Sequence, residues 1–207
     1  GDQKKKDVIS FAEKSINTLR SVLPNFEIYI HDSVDSYNSF VDSIGAPRAS
    51  RGNFAYRTNE NGNIEGRIDI NLSTANRATV AHEVTHGIFL ATLDGNPQLY
   101  ENFRRKVSSV LSDSTNKKLN DFANQYIDND GNLLDVTHEE YLAELTALLS
   151  QQGKSLPISI IEKIAKIINQ IVSKATKGKL KPLVVKVSVG NCLVVIVKRL
   201  VLHKQFV

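Results

Sequence analysis

His82-Glu83-Val84-Thr85-His86 brings together side chains that can carry out metal-assisted hydrolysis. On a helix, positions four apart lie one turn apart on one face, so both imidazoles can reach a single ion. The glutamate beside the first histidine can then hold a metal-bound water and take its proton. The bland alternative is a solvated helix with two incidental histidines. A catalytic zinc needs a third protein ligand and an open position. The chain has one cysteine, Cys192, which excludes a cysteine cluster and an internal disulfide framework. Histidine and carboxylate must therefore hold any Zn2+.

Glu140-Tyr141-Leu142-Ala143-Glu144 repeats the one-turn spacing with two carboxylates. Glu140 is assigned as third ligand. Glu144 is assigned as acceptor for the free ring N–H of a ligand histidine, which fixes the tautomer and raises its basicity. Glu144 itself and His138 stand as alternative third ligands. Glu140 also closes a capping box that begins at Thr137, a role that would turn its carboxylate toward the backbone.

These groups need helices to carry them and a sheet to brace the helices. The metal motif lies in a helical pattern from Ala75 to Leu93, with Val80, Val84, Ile88 and Leu90-Ala91 on its apolar side. Upstream, Asp7–Leu23 is helical by apolar spacing and ends at Pro24, and Phe26–Ile30 alternates as a half-buried strand. Asp32–Ile44 reads as a short helix with Asp32 or Ser33 as cap and Gly45 as stop. Asn53–Thr58 and Ile64–Ile70 flank Asn61-Gly62, the signature of an antiparallel hairpin. Downstream, Gln98–Leu111, Leu119–Tyr126, a helix from the capping box to about Gln152, and Ile158–Lys177 complete a helical half. Asp128–Asn132 resembles part of a calcium loop, but Tyr126 stands where the first acidic ligand belongs, so a turn is expected.

The formal net charge of +4 is uneven. Residues 1–153 hold 15 Lys and Arg against 21 Asp and Glu, and residues 154–207 hold 11 against one, Glu162. The basic C-terminal quarter suits a solvated surface, an acidic partner or nucleic acid. Residues 183–202 are β-branched around Gly190-Asn191 and suggest a hairpin, so 179–207 is set apart from a main domain over 1–178. The longest uncharged run, Val187–Val197, is 11 residues, too short for a membrane-spanning helix of roughly 20. No signal peptide is visible. The chain contains no methionine, and it reads as a piece of something longer with Gly1 as a cleavage scar.

The order of elements and the two motifs together resemble a zincin of the gluzincin type. A metzincin would place Gly and His where Phe89 and Thr92 stand. Within the gluzincins, His82–His86 and Glu140–Glu144 are similar to the motifs of the anthrax lethal factor catalytic domain. They are equally similar to those of zincin domains in phage and plasmid polyvalent proteins, including anti-restriction factors. The likeness extends to Arg67-Ile68-Asp69-Ile70-Asn71 and the isoleucine-rich final helix, over roughly residues 25–175. It implies an α+β, zincin-like fold: a small N-terminal mixed sheet with helices, the metal-motif helix, then a helical C-terminal half. It further implies zinc on His82, His86 and Glu140, Glu83 as general base, and a metalloendopeptidase acting on protein or peptide. One position departs: lethal-factor-like enzymes carry a tyrosine seven residues before the third ligand, where this chain has Leu133. Tyr126 and Tyr141 are the candidates to stabilise the oxyanion instead. The strand Ile64–Ile70 is expected to edge the cleft and pair with extended substrate. A zincin scaffold that binds a protein without cleaving it, and a basic nucleic-acid-binding module, are the competing functions.

Overall fold

Apolar spacing and turn chemistry put most elements where they are expected. The computed structural model describes residues 1–20, 24–48, 50–92, 96–134, 138–152 and 156–175. Among these residues the fold is α+β, with seven helices and one three-stranded mixed sheet. Helix α1 (Asp2–Arg20) starts at Asp2 rather than Asp7. Lys4, Lys5 and Lys6 are good helix formers that need no burial, and Asp2 suits the positive end of the helix. Strand β1 (Phe26–His31) follows, then helix α2 (Val34–Ile44), capped by the Ser33 side chain and stopped by Gly45 in the left-handed region.

Strands β2 (Gly52–Thr58) and β3 (Ile64–Asn71) form the expected antiparallel hairpin. Gly62 takes φ 77° in its loop, and the Asn59 side-chain oxygen accepts from the Asn61 and Asn63 N–H groups. The strand order is β1-β3-β2, with β1 parallel to β3. This corrects one expectation. Ile64–Ile70 is the central strand and cannot edge a cleft; β2 is the edge strand beside the metal-motif helix. Parallel pairing by crossover through α2 leaves no local signature comparable to the hairpin's Asn-Gly.

Helix α3 (Arg77–Thr92) carries the metal motif and is capped by Asn76, whose Oδ1 accepts the Thr79 N–H at 3.0 Å. It lies with α1 on one face of the sheet. Val8, Phe11, Ile16 and Leu19 of α1, Phe26, Ile68 and Ile70 of the strands, and Val80 and Val84 of α3 form one core. Gly66 is required there: a β-carbon on it would lie 2.1 Å from the Phe26 ring, which crosses the β3 backbone at that point.

The helical half builds a second core. It consists of α4 (Pro97–Ser112), α5 (Lys117–Asn124), α6 (His138–Gln152) and α7 (Ile158–Ala175). Tyr100, Phe103, Leu111, Leu119, Tyr141 and Ile164 are its largest fully or almost fully buried members. Asp128–Asn132 is a turn, as expected: Asp128 accepts backbone N–H groups from Asp130 and Asn132, and an Ile127–Leu133 bridge closes it. Helices α3 and α6 pack against each other and join the two halves. Thr137 of the capping box, the hairpin expected within 183–202, and the whole 179–207 segment lie outside the described residues. Among the described residues, no helix is long and apolar enough to cross a membrane.

Candidate metal centre

Two helices deliver the candidate ligands to one point. His82 and His86 project from α3 with their Nε2 atoms 3.2 Å apart. Glu140, in the first turn of α6, places one carboxylate oxygen 3.6 Å from His82 Nε2 and the other 3.6 Å from His86 Nε2. Metal–ligand bonds of about 2.0–2.2 Å at tetrahedral angles put neighbouring ligand atoms about 3.4 Å apart. The observed separations bracket that edge, and 3.6 Å is too long for a direct hydrogen bond. The three residues form a group that could hold a metal ion. Burial falls from His86 (10% exposed) through His82 (26%) to Glu140 (53%), so the group opens to solvent on the α6 side.

The electrostatics suit a cation. Burial, and secondly the neighbouring His86, holds the His82 pKa below the usual imidazole value, with Glu140 and Glu144 pulling the other way. His82 is therefore neutral, with a lone pair free to donate. Glu83, between the histidines, is 8% exposed. Burial and then the charge of Glu140 push its carboxyl up to about 8. A group with that pKa exchanges a proton near neutral pH, as a general base must.

The edge strand forms the wall of this centre. The Phe54 ring stacks on His86 at 5.5 Å and 14°. Two residues earlier, Gly52 runs against Glu83. A β-carbon there would lie 2.7 Å from Oε1 and 2.8 Å from Cγ, so only glycine lets the strand and the carboxylate occupy these positions together. Sequence reasoning missed Gly52, Phe54 and the neighbouring Tyr56. The missing signal was strand order.

The remaining candidates separate. The Tyr126 hydroxyl donates to Glu144 Oε2, and burial followed by that bond drives its pKa far up, so it stays a donor. Glu144 thus receives its hydrogen bond from Tyr126, and its action on His82 is through charge. The Ile127–Leu133 turn returns the chain so that Tyr126 sits against α6 one turn beyond Glu140. Tyr141 is fully buried in the second core, its hydroxyl 2.8 Å from Ser108 Oγ and 3.4 Å from the Arg104 carbonyl. Those bonds engage it away from any oxyanion role. Leu133, at the position of the expected tyrosine, is spent on the turn bridge. The His138 side chain lies outside what is described.

A second polar cluster occupies the opposite face of the sheet. Asp69 has no exposed surface and receives His31 Nε2 and Arg67 Nε and Nη2, each at 2.7 Å. His31 Nδ1 lies 3.0 Å from Ser36 Oγ in α2. The chain matches no protein-family model, no curated protein and no solved structure.

Proposed function

We propose that the chain is a zinc-dependent metallopeptidase with a zincin-like, gluzincin-type build. The observation that carries this reading is the convergence of His82, His86 and Glu140 on one point beside the buried carboxyl of Glu83. Two imidazoles, one carboxylate and an open side make a catalytic zinc set, whereas magnesium and calcium favour oxygen ligands throughout. When bound there, zinc supplies Lewis-acid polarisation of a water and of the scissile carbonyl.

The chain's own residues do the rest. Glu83 takes the proton of the attacking water and hands it to the leaving amine. Tyr126, kept protonated beside Glu144, serves the developing oxyanion by turning its single O–H from Glu144 to the substrate, the role that Leu133 cannot fill. The substrate lies extended along the open edge of β2 and pairs with it by strand addition.

Zinc analysis and cleavage of a peptide library test the reading together. Wild type is expected to hold one zinc, and His82→Ala and Glu140→Ala to lose it. Glu83→Gln is expected to keep zinc and lose about 10²–10⁴ in turnover. Wild-type zinc affinity in Glu140→Ala sinks the ligand set. Stoichiometric zinc without proteolysis favours a scaffold that binds a protein partner.

A further inference from the structure

We infer that Tyr56 selects the substrate, by packing against a large apolar or aromatic side chain two residues N-terminal to the residue that carries the scissile carbonyl. This rests on the peptidase reading and names the substrate class of the same site.

The hydrogen-bond phase of the hairpin decides which residues of β2 can hold a peptide. The Asn71 N–H donates to the Arg51 carbonyl at 3.0 Å, and the Asn59 N–H to the Asn63 carbonyl at 2.8 Å. Both pairs are directly opposite in the register that matches Gly52 with Ile70 and Thr58 with Ile64. In an antiparallel ladder, bonded and non-bonded pairs alternate. The odd-numbered residues 51 to 59 therefore turn their backbone groups to β3. Gly52, Phe54 and Tyr56 turn theirs to the outer edge, where no further strand pairs among the described residues.

The side chains of these residues lie on the α3 face of the sheet, where Gly52 meets Glu83 and Phe54 stacks on His86. Tyr56 is next on the same face, 5.8 Å from Phe54 between ring centroids, and 54% exposed. A strand added at this edge sets its own side chains beside those of its directly opposite partners. The residue opposite Phe54, next to the ligand His86, supplies the scissile carbonyl. Antiparallel pairing, the more stable kind, runs the peptide so that the residue opposite Tyr56 is two positions further toward its N-terminus.

On its β3 side Tyr56 lines a cavity of about 750 Å³ with Phe26 and Gly66, walled by Arg20, Arg57 and Arg67 and by Glu27 and Glu65. Those charges are mixed, so what a side chain opposite Tyr56 meets is the half-exposed aromatic ring, which favours an apolar or aromatic partner.

The test uses zinc-loaded full-length protein and three peptides, identical except for Phe, Ala or Lys at the position opposite Tyr56. Phe is expected to exceed both Ala and Lys by about fivefold in kcat/KM. Tyr56→Ala should bring the Phe-to-Ala ratio near one and Tyr56→Phe should keep it, with zinc content and Tm confirming that both fold. A ratio near one in wild type, or one that survives Tyr56→Ala, overturns the inference. The same peptides are titrated by fluorescence anisotropy against zinc-loaded Glu83→Gln. If no peptide is cleaved, the peptidase reading fails alone. A Tyr56-dependent preference in binding then upholds the subsite, and its absence overturns it.

Discussion

Asp69 and Glu83 are both buried carboxylates, on opposite sides of the same sheet region, and their surroundings differ in kind. Asp69 receives three donors, two from Arg67 and one from His31. Glu83 has a glycine backbone on one side, and burial and Glu140 alone set its pKa, both raising it to about 8. A buried charge with its partners in place braces a fold. One without them is costly until a proton or a cation arrives, and that cost is how a site stays receptive to one.

Stability measurements give the largest contrast. Asp69→Ala leaves His31 and Arg67 without their acceptor. Arg67 is 40% exposed and can turn to water, so the expected loss is about 3 kcal/mol rather than the full penalty of breaking a buried pair. Glu83→Gln in chelated, metal-free protein should cost nothing at pH 8. The sign follows from its raised pKa. The unfolded carboxyl ionises near 4.5 and the folded one near 8, so the folded state binds more protons in between. Wild type should lose stability as pH rises across that window, and Glu83→Gln should lack that slope. Urea titrations at pH 5 and pH 8 measure both. Equal slopes in the two proteins would mean that Glu83 is not the poised group.

The next effect presses on the open side of the comparison. Gly52→Ala places a methyl group 2.7 Å from Glu83 Oε1, so either the carboxylate or the strand must move. Displacement of a catalytic group by about 1 Å can cost on the order of 100-fold. The loss is expected in kcat, with zinc content unchanged and stability lower by about 1–3 kcal/mol. A drop in zinc content instead would show that β2 supports the ligands and not the base.

How much of this contrast was legible beforehand depended on the range of the interactions. His82, Glu83 and His86 are fixed by a spacing inside one helix, and Glu140 by the same spacing inside another. Ser33, Gly45 and the Asn59–Asn63 loop act within a few residues of themselves and were also readable. Strand order was not: β1 reaches β3 from 38 residues away, as the His31–Asp69 bond records. Hence the cleft edge fell to the wrong strand, and Gly52, Phe54 and Tyr56 went unnoticed. Tyr126 and Tyr141 were indistinguishable as letters. One turn sends the first to Glu144, and helix packing sends the second to Ser108.

The smallest expected effect sharpens the claim that the Asp69 side is structural. His31→Gln keeps an amide donor that can reach Asp69, but it loses the imidazole ring that stacks on Phe40 at 5.4 Å and 26°. It also loses the contact of Nδ1 with Ser36 Oγ. One hydrogen bond and part of a ring contact amount to about 1 kcal/mol in a urea titration. Zinc content and kcat/KM should stay at wild-type values, because α2 and His31 meet the sheet on the face away from α3. If His31→Gln instead lowered turnover tenfold with zinc retained, the two sides of β3 would be coupled through the strand. Asp69 would then be positioning the metal centre and not merely bracing the sheet.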